Sequence, residues 1–204
     1  MKQLLEKLAE SQAELEKFHS SCRRLAVTRL PVNLYSARAQ AQRRAATLLH
    51  GLDRRASSWE ELDGRRLADD ERGDRASLLL GGATGGVALP TQRDVGLLAA
   101  AGSGTLFITN IEKLSPAAQH VLCRMVETGR YTPVGDPFPR PLACRIIVGT
   151  HKPLQSLVPH FLVEWNLVHA LGAVSLAAER VIAALEDEGS VLLESHPSRF
   201  AVAS

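Results

Sequence analysis

Gly81, Gly82, Gly85 and Gly86 fall within six positions, the density that a phosphate-wrapping loop uses to turn successive backbone N–H groups inward. Context removes that reading. The run follows no clear strand and opens no clear helix, so Leu79 to Pro90 reads as a flexible loop. Arg38, Arg43 and Arg44 offer a second kind of chemistry: at a helix start, charge and helix dipole together draw an anion, the alternative being a solvated helix face. The doublets Arg23-Arg24, Arg54-Arg55 and Arg65-Arg66 extend this basic character, and residues 17–66 hold eleven Lys or Arg against four Asp or Glu. No aromatic interleaving or nucleic-acid module accompanies them, so any nucleic-acid contact would be weak, nonspecific and salt-sensitive. His151 follows an apolar strand, where a histidine is ordinarily a hydrogen-bonded loop residue, and the sequence supplies no partner for it. Cys22, Cys123 and Cys144 are odd in number and widely spaced, and none of the seven histidines clusters with them. Reduced, buried thiols and no metal are expected.

The elements that must position these residues are legible in the patterning. Thr105 to Ile111 is an apolar run rich in β-formers, the mark of a buried parallel strand. Ser115-Pro116 is an N-cap with proline at the first helical position, and Leu122, Met125 and Val126 continue at helical spacing to Gly129. Leu30 to Tyr35 reads as a first strand and Ser36 to His50 as a loop and helix. Residues 51–77 are polar, with Trp59 and Leu62 as inward anchors, and Ala143 to His151 is a further strand. Leu167 to Leu176 is apolar enough for a last strand, and Ala177 to Glu188 predicts a helix ended by Gly189. At the amino end Leu4, Leu8, Ser11, Leu15, Phe18, Cys22 and Leu25 alternate steps of four and three, a heptad seam that either packs on its own domain or joins two copies. The chain is long enough, and at 45% hydrophobic residues apolar enough, for one sizeable core. With no apolar leader core and no run of about 18 apolar residues, a cytoplasmic, membrane-free protein is expected.

From Leu30 to Asn166 the chain resembles the AAA+ domain of sigma-54-dependent transcriptional activators. Ser103 to Ile111 matches the Walker B strand pattern G-G-T-L-F-L-D-E-I, and Gln119 to Gly129 matches the helix that follows it. Leu30 to His50 lies without a gap on L-P-V-L-I-x-G-E-x-G-T-G-K-E-x-x-A-x-x-I-H, and Ala143 to His151 is similar to the sensor strand V-R-x-I-A-A-T-N. The scaffold residues agree and the chemical ones differ. Ser36, Ala39 and Ala41 stand at phosphate-loop glycines, Gln42 at the lysine with Arg43 beside it, Thr109 and Asn110 at the two Walker B carboxylates, and His151 at the sensor asparagine. Gly85, Val87 and Ala88 fall on the loop that grips the sigma factor, where its gripping phenylalanine and threonine are missing. Pro159 to Leu167 lies where activators show F-R-x-D-L-Y-Y-R-L, without either arginine that reaches a neighbouring subunit.

The resemblance implies a three-layer α/β domain over residues 29–176 with a mostly parallel sheet, preceded by the heptad helix over 1–28 and followed by a C-terminal helix and tail over 177–204. Fifteen residues follow Gly189, so a truncated lid is expected. With every matched site position changed, the expectation is no enzyme, no catalytic residue and no cofactor. What remains is a pseudo-ATPase that regulates transcription by contact with a protein partner, a true AAA+ activator or itself. Two alternatives stay open: an ATP- and magnesium-binding activator, and a basic nucleic-acid-binding accessory.

Overall fold

The computed structural model describes residues 14, 16–28, 30–53, 58–82, 96–172 and 174–195, residues 187–195 by backbone alone. Five strands form one sheet: β1 Val32–Tyr35, β2 Trp59–Asp63, β3 Thr105–Thr109, β6 Arg145–Thr150 and β7 Ser175–Ala177. Their order is β2-β3-β6-β1-β7, and every neighbouring pair is parallel. A second, two-stranded antiparallel ribbon pairs β4 Arg130–Tyr131 with β5 Arg140–Pro141. Successive side chains on a strand face opposite sides, which sorts the core into two halves. Val32, Leu34, Phe107 and Ile147 point toward one helical layer, with Ala45, Ala46 and Leu49 of α2 (Ala39–Leu52) and Val181 and Leu185 of α7 (Ala178–Ser195). Leu106, Ile108, Ile146 and Val148 point to the other, with α3 (Asp74–Gly81), α4 (Leu97–Ala101), α5 (Pro116–Thr128) and α6 (Trp165–Leu171). Burial on both faces is why the strands are nearly unbroken apolar runs.

The α5 termini form as the sequence predicts. The Ser115 hydroxyl accepts from Ala118 N at 3.1 Å, Pro116 opens the helix, and Gly129 closes it at φ 62°. Residues 16–26 are helical and are named α1. Cys22 is buried among α2 and α7 side chains, Phe18 and Leu25 pack against the same cluster, and the Arg180 guanidinium lies 4.6 Å from the Phe18 ring centre. This part of the heptad seam therefore packs on its own chain; Leu4, Leu8 and Leu15 lie outside the described residues.

Three sequence expectations are corrected. Leu79, Leu80 and Gly81 belong to α3 rather than to a loop, because Leu80 and Ala76 are inward positions of a turn that the polar flanks conceal. The last strand is only Ser175–Ala177, and the apolar residues before it form α6, with Leu167, Val168 and Leu171 at helical spacing. Gly189 does not stop α7, which continues to Ser195. A helical glycine costs only about 1 kcal/mol relative to alanine, less than the surrounding turns contribute.

Candidate functional site

In open parallel sheets, ligands bind at the carboxyl ends of the strands, where loops leave the sheet. Four such ends meet here: β1 at Tyr35, β2 at Asp63, β3 at Thr109 and β6 at Thr150. Gln42 adds a side-chain bridge between the ends of β1 and β6, which already pair along their backbones. Its side chain enters from the first turn of α2 and is 6% exposed, and Nε2 donates to Ser36 O and to Thr150 O, both at 2.7 Å. Gly149 makes room for it, since a Cβ there would stand 2.5 Å from Gln42 Oε1. Beside it Ser36 Oγ donates to Glu179 Oε1 at 2.6 Å and accepts from Arg38 N at 3.0 Å. Arg38, Ser36 and Glu179 thus close the entry to α2 with a local network, and neither Ser36 nor Gln42 is left with an unmet donor.

Deeper in the same edge, Asn33 fastens three strands. Nδ2 donates to Thr150 Oγ1 at 2.8 Å, while Oδ1 accepts from Ser175 Oγ at 2.7 Å and from Leu154 N at 3.3 Å. Sequence reasoning missed this residue; its one visible signal is an amide inside an otherwise apolar strand, which demands buried partners.

Thr109 ends β3, and Asn110 turns the chain with a left-handed backbone, φ 51°. Asparagine tolerates that conformation better than most residues. Asn110 Nδ2 donates to Asp63 Oδ1 at 3.0 Å, and Arg65 donates to the same carboxylate, with Nη2 2.6 Å from Oδ2. Arg65, then Asn110, hold the Asp63 carboxyl at about 2 against burial that pushes the other way. His151, expected without a partner, has one: Nδ1 donates to Glu112 Oε1 at 2.6 Å, and Glu112 is buried with Oε2 unpartnered among the described residues. Glu112 and His151 are 39 residues apart, so only the β3–β6 pairing brings them together.

The three arginines named as a possible anion contact each have a partner on the protein. Arg38 pairs with Glu179, Arg43 with Glu61 and Arg44 with Glu186, so each charge meets a carboxylate from a neighbouring element. Gly85, Val87 and Ala88 lie outside the described residues. Among the described residues no group of three or more His, Cys, Asp or Glu could hold a metal, and no helix is long and apolar enough to cross a membrane.

A second feature lies where α5 and α6 begin. Phe161 is 97% exposed with φ 56°, and Trp165 is 56% exposed. They border an open groove of about 520 Å³ with Pro116, Val158 and Val163. The backbone between Phe161 and Trp165 is tied down by Gln119, which is buried and donates to Leu114 O and Leu162 O, both at 3.1 Å, while its Oε1 accepts from Glu164 N at 2.9 Å. His169 braces the Trp165 ring edge-on, with ring centres 4.8 Å apart.

The sheet order, the strand-end geometry and the ordered segments agree with a profile match over residues 8–177 to the Sigma-54 interaction domain. The chain belongs to the Sigma-54 interaction domain family. Among curated relatives it is 33% identical over 100 residues to the DNA-binding transcriptional regulator NtrC of Azospirillum brasilense, covering 49% of this chain and 21% of that protein. It is 25% identical over 164 residues to the C4-dicarboxylate transport transcriptional regulatory protein DctD of Rhizobium meliloti (strain 1021), covering 80% of this chain and 35% of that one. The chain therefore spans about a fifth to a third of the length of these relatives. Among solved structures, NtrX from Brucella abortus in complex with ATP superposes with a TM-score of 0.65 at 19% identity, covering 90% of this chain and 40% of that one. The P-loop NTPase domain of the Sigma-54 transport activator from E. coli gives a TM-score of 0.50 at 17% identity, covering 81% and 94%. At these identities the structural matches speak for the fold.

Membership corrects the expectation that the chain is no enzyme. Sigma-54 interaction domains are ATPases, and NtrX of the same fold is solved with ATP and with ADP. The changed residues at the strand ends are a difference in the site, and they do not by themselves show the domain to be inactive. Sigma-54 activators also interact with sigma-54 and oligomerise.

Proposed function

We propose that this domain acts in transcription regulation by contact with protein partners, a second AAA+ domain being the first candidate, either another copy of this chain or a full-length activator. The observation that carries the reading is the outward presentation of Phe161 and Trp165 over the groove beside α5. Large apolar side chains gathered at a surface mark interaction sites, and aromatic anchors of this kind contribute most of the affinity in many interfaces. Gln119 ties down the backbone between them, which limits the backbone entropy lost when a partner binds. Sedimentation of the purified chain, alone and with a purified NtrC-type regulator, tests this: association is expected, and Phe161→Ala with Trp165→Ala should weaken it at least about tenfold. Association that ignores both substitutions would reject this face.

Family membership favours a second reading, in which ATP and magnesium are taken up at the β1–β6 edge. Gln42 would then leave its two carbonyls and offer its amide to a phosphate oxygen. Isothermal titration with ATP and magnesium, followed by phosphate-release kinetics, separates the two. Binding and turnover would make contact with partners nucleotide-dependent, whereas an absence of heat would leave contact as the working mode.

A further inference from the structure

Between α3, α5 and the β4–β5 ribbon lies an open cavity of about 350 Å³, sharing no residue with the strand ends or the Phe161 groove. Its floor is apolar: Val121, Met125 and Tyr131, the last two buried. Its rim is basic: His120, Arg124 and Arg130, with no carboxylate in the lining. Arg130 is fixed in the wall by donating to Pro139 O at 3.0 Å. Arg124 makes no ion pair with any described residue, unlike Arg38, Arg43 and Arg44, which all find one. Burial raises the Tyr131 phenol above its usual value, so it stays neutral at physiological pH.

We infer that this cavity binds a small aromatic carboxylate, its ring on Met125 and Tyr131 and its carboxylate on Arg124. The volume is at the small end of the range for ligand pockets, roughly 300–1,000 Å³. A thioether and a phenol ring suit a flat aromatic body through sulfur–aromatic and ring–ring contacts. A guanidinium fork matches a carboxylate with two parallel hydrogen bonds, and a rim with no acidic residue among its lining disfavours cations. An occupant touches α5 and the ribbon at once, and α3 through Ser77, so it adds contacts to three elements that already share one core.

The test is isothermal titration of the full chain with 2-naphthoate and with its uncharged isostere 2-naphthamide. One site is expected for naphthoate, with naphthamide at least about tenfold weaker, equivalent to about 1.4 kcal/mol. Arg124→Gln, an exposed helix position, should weaken naphthoate about tenfold and leave naphthamide unchanged, while Arg43→Gln on the opposite layer should change neither. Equal affinities for the two compounds, insensitivity to Arg124→Gln, or no binding at millimolar naphthoate would each overturn the inference.

Discussion

Gln42→Leu is the substitution that interrogates the strand-end clamp most cleanly, because leucine nearly preserves volume and removes only the amide. Wild type makes two buried hydrogen bonds at 2.7 Å from this amide, to Ser36 O and Thr150 O. Thr150 O also accepts from Ser36 N at 3.0 Å and keeps that partner in the variant, so Ser36 O is the carbonyl whose loss matters more. Two net hydrogen bonds at about 1 kcal/mol each, with a further 1–3 kcal/mol for a buried acceptor left unpaired and not rehydrated, give roughly 3–5 kcal/mol. For a chain of this length that lowers the midpoint of thermal unfolding by roughly 6–20 °C. Urea unfolding followed by far-ultraviolet circular dichroism measures it, with the slope of the transition checked for constancy. A loss under about 0.5 kcal/mol would mean that water replaces the amide without cost and that Gln42 does not hold β1 to β6.

Other outcomes follow from the same geometry. Gly149→Ala places a Cβ 2.5 Å from Gln42 Oε1, so it should destabilise by about 1–3 kcal/mol and combine less than additively with Gln42→Leu in a double-mutant cycle. Asp63 has a folded carboxyl depressed to about 2 from an ordinary value of 3.8, chiefly by Arg65. A depressed acid stabilises above its unfolded value and loses that stabilisation as pH falls through the folded one. The stability gap between wild type and Asp63→Asn should therefore be constant above pH 5 and shrink between about pH 4 and 2, and as a largely exposed pair it should not exceed about 1 kcal/mol. Burial raises the Cys22 thiol, and it raises Cys123 to about 11 together with Glu127, so both should react slowly with a thiol reagent at pH 8 until the protein unfolds. Fast native-state labelling of either would contradict their packing.

What the sequence discloses is the scaffold. Thr105 to Thr109 and Arg145 to Thr150 read as buried strands because both faces are covered, and Ser115, Pro116 and Gly129 set the ends of α5 by local chemistry alone. Residues 51–77 are less legible: Trp59 to Asp63 carries three acids and forms a strand because β3 pairs with it, a tertiary reason that no local propensity contains. The site divides the same way. Substitution at Gln42, Thr109, Asn110 and His151 could be read by register, but their partners could not. Glu179 reaches Ser36 across 143 positions, Glu112 reaches His151 across 39, and Asp63 reaches Asn110 across 47. Those pairings are properties of the strand order, which sets Asp63 of the neighbouring strand, already paired with Arg65, beside Asn110. Gln119 reads as one more helix residue, yet it ties down the backbone between Phe161 and Trp165.

Sedimentation velocity of the chain against a purified NtrC-type regulator decides whether this domain works by contact through the Phe161 and Trp165 face. Wild type should give a heavier species and the double alanine variant an affinity at least about tenfold lower, with an unchanged far-ultraviolet spectrum and, since Trp165 is partly packed on His169, an unfolding midpoint lower by no more than roughly 10 °C. Equal affinity for the folded variant, or a wild-type chain that stays monomeric alone and with the regulator, would contradict it.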